Sequence, residues 1–195
     1  MARLTTLVRT QAPGDKRCVA FAVAAAIETS VCRNLGKVAG APEIDVDELF
    51  RLGGSVPGVI DGIQEAVVDG VPDETVPPGI WKARLRLVSG PRKQRVDLMR
   101  RELRDHGPLV ALMEVFSNFP GFNGAGVYRG IRPSIGFHAV CIIGDEVDPG
   151  GGTGRWIAKN SMGTAWGDGG FGRFDWNDKM VNMEDVVFVV DEVRQ

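Results

Sequence analysis

From Cys18 to Asn34 the chain is dense in alanine and branched apolar residues, with no Gly or Pro before Gly36. Apolar positions occupy most of the helical circumference, which predicts a buried central helix rather than a surface one. Asp45 followed by Glu48 predicts the start of a short helix that stops at Gly53 and Gly54. Residues 58–69 repeat the helical period, with Val59, Ile63, Ala66 and Val67 on one face and Gly70 as the stop. A loop with Pro72, Pro77 and Pro78 then reads as a crossing between lobes. Alternation over residues 83–88 (Leu85 and Leu87 against Arg84 and Arg86) predicts a strand. A charged helix over about 92–105 ends before Gly107 and Pro108. Strands are expected at 109–115, 137–144, 155–159, 171–175 and 185–190. Residues 1–17 read as an extended lead-in with a turn over Ala12, Pro13, Gly14 and Asp15. Helices followed by strands predict a single α+β domain of two lobes.

Composition narrows this picture. The chain has 195 residues, 44% of them hydrophobic, enough for a real core. A net charge of −2 points to neither nucleic acid nor an anionic membrane as a partner. The basic stretch from Lys82 to Arg104 is broken by Asp97 and Glu102, so it reads as a solvated helix face. No apolar run approaches the roughly 18–20 residues of a membrane span. The longest, Val19 to Ile27, follows Lys16 and Arg17 and faintly imitates a signal peptide, but Gln11, Pro13, Gly14 and Asp15 are foreign to such a leader. A cytoplasmic protein is expected, with a secreted effector as the second option. The three cysteines, Cys18, Cys32 and Cys141, lack metal-site spacing and are odd in number, so neither a metal, a cofactor nor a disulfide framework is expected. Cys32 and Cys141 read as unpaired core thiols.

Cys18 stands at the first turn of the predicted central helix, where free N–H groups and the helix dipole favour a thiolate. Its bland alternative is a small buried hydrophobe. A thiolate that attacks a carbonyl needs a base that later returns the proton to the leaving amine. Of the two histidines, His138 opens an apolar strand, while His106 lies at a helix end and reads as a dipole partner. His138 on spacing alone could equally be a half-buried core residue. Asn160, in a Gly-rich stretch before Trp166, has the chemistry to accept an imidazole N–H and hold the ring in one tautomer. Taken alone it is also a common turn residue.

Four stretches, in order, carry a resemblance. They are Cys18-Val19-Ala20-Phe21-Ala22; Gly107 to Val115, with Phe119, Phe122 and Gly126-Val127-Tyr128 behind it; Gly136-Phe137-His138-Ala139-Val140; and Trp156 to Phe171 around Asn160-Ser161-Met162-Gly163. Together they resemble the papain-like (papain and cathepsin) cysteine peptidases, of a bacterial type without a pro-segment. The resemblance implies a helical lobe at about 12–80 and an antiparallel β-barrel-like lobe at about 1–11 and 81–195, with a cleft between them. It implies peptide hydrolysis through a Cys18 thioester, with His138 as general base and acid, Asn160 orienting it, and Gln11 joining the Cys18 N–H in an oxyanion hole. It further implies that Gly53, Gly54, Leu112, Phe137 and Trp166 line the substrate cleft, with Val56 or Pro57 near the glycine pair. Partners would be a peptide or protein substrate and a proteinaceous inhibitor. The pattern departs from the family in places. Gln11 lies seven residues before Cys18 where the family has six. Val19 and Met162 replace family tryptophans, and Asp15 stands where a disulfide cysteine would. An acyl transferase or ligase using the same thioester, and a silent peptide-binding domain, are the alternative functions.

Overall fold

The computed structural model describes residues 4–12, 14–53, 59–75, 77–176, 178–179, 181–183 and 185–195. Helix α1 (Cys18–Leu35) is the predicted central helix, with Ala20, Val23, Ala24, Ala26 and Ile27 fully buried. Each large apolar side chain sealed this way contributes on the order of 1.5–3 kcal/mol. Gly36 ends it in the left-handed conformation at φ 65°, so that its own N–H and that of Lys37 reach the carbonyls of Arg33 and Cys32. Contrary to the sequence expectation, α1 is long and apolar enough to pass for a membrane span. In the fold most of it is sealed inside, against the sheet.

Helix α2 (Val46–Gly53) starts as expected: Asp45 Oδ1 accepts the Glu48 N–H at 2.9 Å. The reciprocal half of the capping box is not made. Glu48 instead binds Arg51, and the Asp45 N–H goes to Pro72 O. Helix α3 (Val59–Asp69) buries Ile63, Ala66 and Val67. The proline loop is not a free crossing. It contributes strand β1 (Val71–Pro72), which pairs with strand β2 (Ile80–Leu87). A 3-10 turn at Arg92–Gln94 leads into α4 (Arg95–Asp105). Strands β3 (Leu109–Phe116), β4 (Ser134–Val147), β5 (Gly154–Lys159), β6 (Phe171–Asp175) and β7 (Val186–Arg194) follow.

The strands form one antiparallel sheet in the order β1-β2-β7-β3-β4-β5-β6. This corrects the barrel-like lobe expected from the sequence. β1 and β6 stand at opposite ends of the sheet, which stays open. Its two faces are both covered. Leu85, Val110, Ala139, Cys141 and Val190 pack on α1. Leu109, Ala111, Met113, Val140, Ile142, Ala158, Val187 and Val189 face a second cluster with Tyr128, Trp156, Trp166 and Phe174. The period of two along β3 and β4 is thus spent on two cores, which is why both strands read as nearly continuous apolar runs. Leu87, expected inward, is exposed, while Arg86 is half-buried between Glu102 and Asp191. Cys32 and Cys141 are buried free thiols, as expected.

Candidate active site

Cys18 is the first residue of α1, and its thiol is half-buried. Burial pushes the thiol up, and the backbone N–H groups of Ala139, Val19 and Cys18 itself pull the other way. The sulfur therefore lies between the open amides of a helix N-terminus and the strand carrying His138, since Ala139 is the next residue of β4. His106 is far from this arrangement in role. It caps α4 and lies 3.6 Å from Glu102.

His138 Nε2 and Asn160 Oδ1 are 2.7 Å apart. The Ser161 N–H also donates to Asn160 Oδ1, at 2.8 Å. An oxygen that already receives a peptide N–H is an acceptor, so Nε2 must carry the imidazole hydrogen. Nδ1 then keeps its lone pair, free to take a proton. Asn160 is itself held: it is buried, and its N–H donates to Gly170 O at 2.9 Å. The Phe119 ring covers His138, with centroids 5.5 Å apart. Burial pushes the His138 imidazole down, and the Asn160 bond opposes it. Asn160→Ala removes the opposing bond, so the His138 titration moves to lower pH. Proton NMR reads this directly, because the chain has only two histidines and His106 serves as the internal reference. An unmoved or raised His138 value would contradict the orienting role.

The structure distributes the other expected residues unevenly. Gln11 is brought to the site: its backbone N–H donates to Ser161 O at 2.5 Å, and its Oε1 accepts from Ser161 Oγ at 2.8 Å. Leu112 pairs with Ala139, and Phe137 with Glu114. Leu112 and Phe137 thereby share one sheet face beside His138, Leu112 half-buried and Phe137 78% exposed. Trp166, expected at the substrate face, is instead buried, and this corrects that expectation. Its indole N–H donates to Phe119 O at 2.7 Å, and its ring packs on Phe119 and Phe122. It supports the ring that shields His138 and offers substrate no surface. Gly53 is also buried. A Cβ there would come within 2.5 Å of Ile63 Cγ1, and one on Gly62 within 1.9 Å of Gly53 O. The glycine is needed for close packing of α2 on α3. Gly54, Val56 and Pro57 lie outside the described residues.

Sequence reasoning missed a buried charge cluster behind the site. Glu28 of α1 binds Arg9 at 2.5 Å, accepts the Ile44 N–H at 3.0 Å and accepts from Thr6 Oγ1. Lys159, next to Asn160, donates to Thr6 O at 3.1 Å and Thr6 Oγ1 at 2.9 Å. Burial pushes Lys159 down and Glu28 up, and each group's charge opposes the other's shift. The signal was present as Glu28, the one carboxylate in an alanine-rich helix. Ser161 and Phe119, both in contact with the site, were also missed as site residues.

A thiol at a helix start, and an imidazole held in one tautomer by a buried amide, make a candidate cysteine–histidine–asparagine site on an α+β frame. The family model described as papain family cysteine protease matches residues 83–190, more than half of the chain. The chain belongs to the papain family of cysteine proteases. Fruit bromelain from Ananas comosus is 42% identical over 66 residues, 34% of this chain and 18% of that protein. A cathepsin B-like cysteine proteinase from Caenorhabditis elegans is 39% identical over 82 residues, 42% of this chain and 21% of that protein. These matches thus span about a fifth of their relatives' own length. Among solved structures, bromelain from Ananas comosus in complex with the E64 inhibitor superposes with a TM-score of 0.72 at 20% identity, covering 96% of this chain and 94% of that one. Procathepsin B from Trypanosoma congolense gives 0.74 at 19% identity, covering 96% and 72%.

Proposed function

We propose that this chain is a cysteine peptidase. Cys18 gives its proton to His138 Nδ1 and attacks the scissile carbonyl as a thiolate. The Cys18 N–H and a Gln11 Nε2 hydrogen stabilise the oxyanion. The imidazolium then returns the proton to the leaving amine, and a thioester forms. Water, deprotonated by the same His138, hydrolyses the thioester and frees the sulfur. Asn160 keeps the ring in the Nε2–H tautomer throughout. Leu112 and Phe137 form the apolar wall met by the substrate side chain. The observation that carries this reading is the Asn160 oxygen bound by both the His138 ring and the Ser161 N–H. The lobe division at about 12–80 against 1–11 and 81–195 belongs to the same proposal. So do a peptide or protein substrate, a proteinaceous inhibitor as a second partner, and a cytoplasmic or exported working place.

The test is labelling with an epoxysuccinyl inhibitor of the E64 type under reducing conditions at neutral pH, read by intact mass and peptide mapping. One adduct on Cys18 is expected, absent in Cys18→Ala. An adduct on Cys32 or Cys141 overturns the site. No adduct at all favours a silent peptide-binding domain. Product analysis with an added amine acceptor separates hydrolysis from acyl transfer.

A further inference from the structure

The segment between Gln11 and Cys18 must accommodate one residue more than the related spacing, and yet Gln11 still reaches the Asn160 loop. The contacts explain how. The Gln11 side-chain amide has one acceptor oxygen and two N–H donors. Its oxygen accepts from Ser161 Oγ at 2.8 Å, and Nε2 donates one hydrogen to Asp15 O at 2.5 Å. With both ends of the planar amide engaged, its rotation is fixed and a single N–H remains for a ligand. The Asp15 carbonyl is therefore half of what orients Gln11.

That carbonyl is held in turn by its own side chain. Asp15 Oδ1 accepts the Arg17 backbone N–H and Nε, each at 2.9 Å, while Oδ2 accepts Nε at 3.0 Å and the Arg17 terminal nitrogen at 2.6 Å. The Asp15 N–H donates to Ala12 O at 3.1 Å. Arg17 continues to Asp47 on α2 and lies over the Phe21 ring, 5.5 Å from its centroid. Its backbone carbonyl accepts the Phe21 N–H at 3.0 Å, so it caps the helix that begins with Cys18. Asp15 thus ties the Gln11 amide to the N-terminus of α1, where the other oxyanion donor lies. The bidentate Arg17 bond lowers the Asp15 carboxyl, which favours the ionised clamp.

We infer that Asp15 is a positioning residue of the oxyanion hole: clamped by Arg17, it fixes the carbonyl that orients the Gln11 side-chain amide relative to the Cys18 N–H. This rests on the proposed roles of Gln11 and Cys18. Asp15 touches neither substrate nor the reacting atoms, and its effect is transmitted through Gln11.

The test compares two reactions of the same thiol in the full chain. Peptide anilide hydrolysis passes through an oxyanion, whereas alkylation by iodoacetamide attacks a saturated carbon and forms none. In Asp15→Ala, kcat for hydrolysis should fall about 10–100-fold, less than the 10²–10³-fold of deleting a donor outright, with KM within about twofold. The second-order rate of alkylation should not fall. A double-mutant cycle supplies the decisive readout. Asp15→Ala added to Gln11→Ala should cost nothing further, because a residue acting through Gln11 has nothing left to orient. Asp15→Asn keeps an acceptor for the Arg17 N–H but loses the ion pair, and an intermediate kcat is expected. It carries the test if Asp15→Ala melts early. A wild-type kcat/KM in both variants overturns the inference. So do losses that multiply in the double mutant, or alkylation that slows in step with hydrolysis. A wild-type chain that is alkylated at Cys18 and cleaves no peptide instead overturns the peptidase reading, and the inference with it.

Discussion

His138→Ala will lower kcat/KM for a peptide substrate by about 10³–10⁴-fold while leaving KM close to that of the wild type. The ring does two jobs in the proposed cycle, removing the thiol proton and protonating the leaving amine. Neither job is needed to bind the ground-state substrate, so the loss falls on kcat. The resting state makes the dependence steep. Burial pushes the Cys18 thiol up and the His138 imidazole down, so the protein itself favours the neutral pair over a free-standing thiolate. Without His138, hydroxide or buffer must deprotonate Cys18, and the residual rate should rise with pH across the neutral range. Added imidazole should restore part of the activity, because deleting the ring leaves a space against Phe119. A loss below tenfold would mean that another group takes the proton. His106, the other histidine, is no candidate by position, because it lines a separate groove with Ser30, Arg33 and Asp191.

How much of this was legible in the sequence depends on the range of the physics involved. Local signals carried well. The uninterrupted apolar run marked α1, Asp45 marked the start of α2, and Gly107-Pro108 marked the break before β3. Cys18, His138 and Asn160 each had a bland reading alone, and their order along the chain is what linked them. Contacts between distant segments did not carry. The open sheet follows from which strands end at its edges, and no strand's own residues encode that. The resemblance places Trp166 in the cleft, but its indole turns inward to satisfy its N–H on Phe119 O. The resemblance makes Gly53 a substrate contact, although what crowds a side chain there is Ile63 of α3. By resemblance, Asp15 stands only where a cysteine would. Its bidentate contact with Arg17 is not written in the sequence pattern.

Glu28→Ala should lower the stability of the fold by about 3–5 kcal/mol, a fall in Tm of roughly 6–20 °C for a chain of this size. Glu28 is 1% exposed and Lys159 4%. Deleting the carboxylate leaves the Lys159 ammonium buried without a counter-charge, and it orphans the Ile44 N–H and Thr6 Oγ1 as donors. Arg9 is better placed to adapt, since its side chain is 18% exposed and Glu43 lies 3.9 Å away. The cost is therefore that of stranding charge rather than the worth of the ion pair itself, and the two can be separated. Glu28→Met combined with Lys159→Met removes both buried charges and keeps most of the volume. It should be more stable than Glu28→Ala and cost far less than the two single losses added together. Thermal unfolding of the wild type, Glu28→Ala, Glu28→Met, Lys159→Met and the double Met variant decides this, and strictly additive losses would show that Glu28 and Lys159 do not share one network. The network also has a reason to be there. Lys159 precedes Asn160, Thr6 lies on the segment that runs on to Gln11, and Arg9 O accepts the Gly163 N–H at 3.0 Å. One buried carboxylate on the helix that begins with Cys18 thus anchors both the loop that carries Asn160 and the extended segment that leads to Gln11. A variant that repacks the cluster with apolar side chains should therefore recover the fold more completely than the activity.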